Sequence, residues 1–398
     1  MQSWEWTGAM RNRIRNGSRV SRGVLAAGAG IVLIASQLAA ADARDQVKRI
    51  FDRIAGVPPT ETQIQQMLAE PSFVDAALNV ATEAPTFYSV TLKNFVTPWT
   101  NRDQTVFAPL NDYTATVIGM VRDNLPFNEV LSADLLYTVN ASGLPAASPT
   151  SNDHYAEAER RGIDLKAALV RTTQSRVYGI PSEATAGVVT TRAAAEAFFI
   201  DGTNRAMFRF TLLNHLCRDL EQLQDITRPP DRIRQDVSRS PGADSRVFLN
   251  NCIGCHSGMD PMAQAYAYYD FDETLGRLVY TPGIVNAKYF NNADTFKPGF
   301  VTPDDSWENR WRAGPNVILG WGNTPGSGAG AKSLGMELAG SHAFAQCQVE
   351  KVFKAVCFRS PGNEADRTAV ATITGRFKNG YNLRRVFAET ADYCKGDE

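Results

Sequence analysis

Positions 252 to 256 read Cys-Ile-Gly-Cys-His, two thiols three residues apart followed at once by an imidazole. These three side chains can serve one small group together only if the segment forms a helical turn, so the stretch dictates its own local conformation. In that turn each thiol can add across one vinyl group of a porphyrin, and the imidazole can reach the iron from below. This is the attachment signature of a c-type haem. Cys252 and Cys255 are therefore expected to tether one covalently bound haem c, with His256 as proximal iron ligand. Two alternatives compete: a disulfide between the two thiols, or half of a zinc site, for which only His215 with Cys217 offers a second pair.

The amino terminus points the same way. Arg11, Arg13, Arg15, Arg19 and Arg22 precede an apolar run from Val24 to Ala40, and small residues near Ala41 and Ala43 offer a cleavage site. Residues 1–43 read as a cleavable signal peptide, with Met10 as an alternative start and a retained membrane anchor as the competing reading. No Arg-Arg pair occurs there, which suits export of an unfolded chain into an oxidising, periplasmic compartment. Residues 44–398 carry 36 Lys and Arg against 40 Asp and Glu. That balance argues against nucleic acid or anionic lipid as a partner and leaves a redox protein as the expected one.

Outside the motif stand Cys217, Cys347, Cys357 and Cys394, an even number that allows two disulfides in three connectivities. Cys347 and Cys357 fall on one expected helix, about 15 Å apart, beyond the roughly 7 Å that a bridge spans. If the last three helices run up-down-up, Cys394 returns beside Cys357 and leaves Cys347 for Cys217.

Apolar spacing at Val47, Ile50, Phe51 and Ile54 predicts a first helix, and Thr60 caps the next. Residues 138 to about 190, rich in Ser, Thr, Pro and Gly, read as a long connecting region. A helix is expected from Asn204 to Leu223. From Thr281 to Ser333 the pattern weakens into an irregular stretch holding Trp307, Trp311 and Trp321, a cover for part of the haem. Helices return near 335–340, 346–358, 364–378 and 382–393. The fold class is mainly α, with helical domains flanking a c-type haem segment: one at 44–145, a central one at 146–280 that holds the haem segment, and one at 334–398, with an irregular Gly/Pro-rich insertion at 281–333.

Four stretches together resemble the planctomycete-type cytochrome c family of large exported proteins. Arg49-Ile50-Phe51-Asp52 through Gly56-Val57-Pro58-Pro59-Thr60, with Asn124-Leu125-Pro126-Phe127, is similar to its amino-terminal helical domain. Ala186-Gly187-Val188-Val189-Thr190 followed by Asn204-Arg205-Ala206 resembles a second element. His256 through Asp260-Pro261, then Phe271-Asp272 and Gly276, resembles its haem segment, and Leu338-Ala339 through Arg359 its carboxy-terminal domain. Ala206 and Phe358 depart from Gly in the family's pattern, and the segment between Gly276 and Leu338 is unlike it. The resemblance implies a haem and a helical fold, and leaves the reaction open.

A sixth iron ligand would separate an electron carrier from an enzyme. Met336 and His342 have suitable separations from His256; Met259 and Met262 lie too close and read as core; His215 and His154 read as surface residues. Arg209 falls in the middle of the apolar arc of the 204–223 helix and needs an anion, either a haem propionate or a buried Asp such as Asp260. Gly326 to Ser333 nearly matches a phosphate-binding loop but has Ala331 where Gly is needed, and reads as a flexible linker. An exported monohaem cytochrome passing single electrons is the leading expectation. A haem oxidoreductase with an open distal site, or an electron-relay subunit of a larger periplasmic complex, are the alternatives.

Overall fold

Helices dominate the computed structural model, which describes residues 43–200 and 202–396; the expected signal segment lies outside them save its last residue. The α-helices of seven residues or more are α1 (43–55), α2 (Glu61–Leu68), α3 (Asp112–Arg122), α4 (Asp153–Arg160), α5 (Arg192–Phe198) and α6 (Arg205–Leu216). They continue as α7 (Ile253–Ala263), α8 (Gly330–Ala339), α9 (His342–Cys357), α10 (Glu364–Phe377) and α11 (Leu383–Tyr393). Three two-stranded antiparallel ribbons complete the fold among the described residues: β1 (Leu136–Val139) with β2 (Leu169–Thr172), β3 (Tyr269–Asp272) with β4 (Arg277–Tyr280), and β5 (Ser306–Glu308) with β6 (Ser327–Ala329).

Local chemistry explains the boundaries. Thr60 caps α2 by accepting from the Gln63 amide while the Gln63 side chain bonds back, a full capping box. The fully buried carboxylate of Asp112 accepts from the amides of Arg192 and Ala193 and so closes the amino end of α5, 80 residues away in sequence. The α6 helix stops at Cys217, whose φ of 54° is left-handed, so the helix expected to run to Leu223 ends seven residues earlier at Leu216.

The region expected as a connector at 138–190 holds α4, the β1–β2 ribbon and short helices. The stretch expected as a flexible linker forms β6 and the first turn of α8. The four segments between residues 44 and 398 share one hydrophobic core running from Val47 to Ala391, and fold as one compact unit. A small satellite cluster of Ile233, Val237 and Phe248 packs against Cys252 and Ile253.

The 281–333 insertion is irregular, as expected, and is held by charge. Glu337 of α8 is fully buried and accepts from Asn309 Nδ2 at 2.6 Å and from Arg312 at 2.8 and 2.9 Å. Burial opposes its ionisation, but these donors outweigh the cost and hold the carboxyl below its ordinary range. Cys217 is bonded to Cys347 and Cys357 to Cys394, with Cα separations of 5.3 and 5.6 Å, the pairing that helix geometry favours. No helix among the described residues is long and apolar enough to cross a membrane.

Candidate haem-attachment site

Cys252 closes a π-helical turn, 248–252, and stands at the amino end of α7, so Cys255 and His256 follow within one turn. The two motif cysteines are half-buried and unpaired, while the other four are bonded to each other. The Cys255 Sγ lies 3.5 Å from the Leu220 carbonyl, and burial, then the charges of Glu221 and Asp219, push its thiol up. The zinc alternative loses its second pair. Cys217 is in a disulfide, and His215 is buried with its Nε2 2.9 Å from the Tyr113 hydroxyl.

His256 is fixed from one side only. Its Nδ1 lies 3.0 Å from Oδ1 of Asp260, one turn further along α7. Asp260 is fully buried and also accepts from Arg205 Nε at 2.8 Å on Oδ1 and from Arg205 Nη2 at 3.0 Å on Oδ2. Arg205 forks again to Asp236, at 2.6 and 3.0 Å. Burial alone would raise the Asp260 carboxyl, but the Arg205 charge and the His256 contact outweigh it and hold the group well below the usual carboxylate range. An ionised carboxylate only accepts, so a ring proton sits on Nδ1 and Nε2 is the nitrogen left to meet a metal. No hydrogen bond among the described residues occupies Nε2.

The surroundings fit a porphyrin. Leu249, one turn before Cys252, is 54 % exposed, and Ile226 is 68 % exposed beside Asp225, whose amide donates to the Gly254 carbonyl at 2.9 Å. Apolar side chains left open next to two free thiols and a free imidazole nitrogen match a flat, greasy macrocycle. Behind α7, the fully buried Trp311 ring abuts Gly258 so closely that a Cβ there would lie 2.0 Å from Nε1. Two clefts, of about 520 and 750 Å³, have no motif residue in their lining; the first is lined by residues that include Arg102, Asn111, Asp153, Arg192 and Glu196.

Some expectations shift. Arg209 is not the buried arginine: its side chain is 47 % exposed and paired with Asp219. With α6 ending at Leu216, its buried face is set by Met207, Phe208, Thr211 and Leu212, and the arginine that meets Asp260 is Arg205, one turn earlier. His215 and His154 are buried rather than on the surface; His154 Nε2 accepts from the Val139 amide at 2.9 Å. Met259 and Met262 are core residues. Met336 is half-exposed on α8 and His342 is exposed at the start of α9; no hydrogen bond or ion pair links either to His256 among the described residues.

The sequence marked Asp260 as the partner of a buried arginine but named Arg209 in place of Arg205; it missed Asp236 and the His256–Asp260 contact, which the i, i+4 spacing on one helix could have signalled. Searches against protein-family models, curated proteins and solved structures found no match to this chain.

Proposed function

We propose that the chain is an exported monohaem c-type cytochrome that transfers single electrons to a protein partner, in keeping with the family it resembles. The observation that carries this reading is the sorting of the six cysteines: four pair with each other, and the two left over stand one turn apart beside an imidazole whose Nε2 meets no hydrogen-bond partner among the described residues. Cys252 and Cys255 would hold the haem, each Sγ–H adding across one vinyl group with sulfur on one carbon and hydrogen on the other, a step that needs no external oxidant. His256 offers Nε2 to the metal, and Asp260 keeps the ring in that orientation. Bound haem supplies a one-electron couple whose potential depends on its axial ligands and their hydrogen bonds. Disulfides elsewhere in the fold suit the oxidising compartment in which such attachment takes place.

The test is acid–acetone extraction followed by the spectrum of the reduced pyridine adduct. The reading expects haem to stay with the polypeptide; haem that extracts, or is never present, overturns it. Carbon monoxide then separates the two haem readings. A reduced spectrum that ignores the gas marks a carrier with both axial positions filled, and prompt binding marks an open sixth position and an oxidoreductase.

A further inference from the structure

The contact between His256 and Asp260 does more than orient a ring. We propose that Asp260, clamped by Arg205, is the positioning residue of this centre: it fixes the ligating tautomer of His256 and loads negative charge onto the imidazole, lowering the reduction potential of the iron. The inference rests on the haem attachment proposed above.

The geometry carries it. Oδ1 of Asp260 receives both His256 Nδ1 and Arg205 Nε, and Oδ2 receives Arg205 Nη2 and, at 3.4 Å, the backbone amide of Arg234. With zero side-chain exposure, no bulk water competes for the carboxylate. Arg205 is itself held from the far side by Asp236, and its helix is anchored by Asn204, whose Nδ2 donates to the carbonyls of Tyr266 and Tyr269 just beyond α7. The carboxylate therefore has one position and one orientation. A carboxylate accepting from Nδ1–H draws that proton away from the ring and raises electron density at Nε2, which favours the ferric over the ferrous ion. A neutral acceptor would do so less. Loss of such a partner typically weakens metal binding about 10- to 100-fold. A tenfold loss falling on the ferric state alone corresponds to a rise of about 59 mV for a one-electron couple.

Asp260→Asn keeps the shape and an acceptor but removes the charge. Asp236→Asn removes an equal charge from Arg205 without touching His256. In holoprotein, potentiometric titration of Asp260→Asn is expected to show the ferric preference falling about tenfold. The nitrogen-15 shift of His256 Nδ1 in the low-spin ferrous form moves with it. Asp236→Asn is expected to shift the potential less and leave the Nδ1 signal where it is. Equal potentials in wild type and Asp260→Asn, or equal effects of the two variants on both readouts, would overturn the inference while leaving haem attachment intact. Haem missing from the wild type as well would remove both proposals. Should Asp260→Asn fail to fold, Asp260→Glu keeps the charge but displaces the hydrogen bond. A partial rise in potential then supports the role, and an unchanged potential rejects it.

Discussion

Gly258 and Trp311 illustrate how tightly the motif helix is backed. A methyl group at position 258 would sit 2.0 Å from the indole nitrogen, and Trp311 is fully buried. Gly258→Ala should lower stability by about 1–3 kcal/mol through overpacking, read as a reduced urea midpoint at unchanged slope. His215 sets a second expectation. Burial, helped by the charge of Lys351, pushes its pKa well below the ordinary 6.5. As pH falls below 6.5, the unfolded chain takes up a proton that the folded one refuses, so this group's contribution, complete above 6.5, is lost on acidification. The slope is at most about 1.4 kcal/mol per pH unit. Unfolding free energies at several pH values should fall less steeply in His215→Gln than in the wild type; identical slopes would contradict the assignment. Residue identity alone hid this burial, because His215 borders the apolar arc and the hydroxyl that meets its Nε2, on Tyr113, is 102 positions away in sequence.

At the scale of elements, the helix–disulfide framework was largely legible. The 10-residue spacing of Cys347 and Cys357 on one helix excluded a bond between them, and the up-down-up run of α9, α10 and α11 brings Cys394 to Cys357. The end of α6 was not legible. Nothing in Leu216-Cys217-Arg218 signals a stop; the left-handed turn at Cys217 accompanies its tertiary bond to Cys347, and a helix wrongly continued to Leu223 rotated Arg209 into the apolar arc. The two bridges close sequence separations of 130 and 37 residues. Chain entropy then expects the Cys217→Ala, Cys347→Ala pair to lose about 1 kcal/mol more than the Cys357→Ala, Cys394→Ala pair. Denaturant titration of the two double variants measures that difference directly, and a reversed order would show that native packing, not loop closure, governs the bridges.

For the whole molecule, segment composition marked real changes of texture without marking separate cores. The insertion at 281–333 lacks periodicity because its stability comes from Trp307 and Trp311 buried in the common core and from ion pairs such as Arg312 with Glu337, which leave no periodic trace in sequence. The core binds amino-terminal and carboxy-terminal helices together, with Phe87 against Phe387 at 5.1 Å between ring centroids. Around it, the motif at 252–256 keeps two thiols and one imidazole nitrogen uncommitted, and that economy underlies the functional proposal. Intact-mass spectrometry of the protein recovered from an exporting host under denaturing conditions tests it most directly. The account predicts a polypeptide heavier by one haem, with the gain abolished in Cys252→Ser, Cys255→Ser. A mass equal to the bare chain, or one lower by two hydrogens with Cys252 and Cys255 joined, would contradict it.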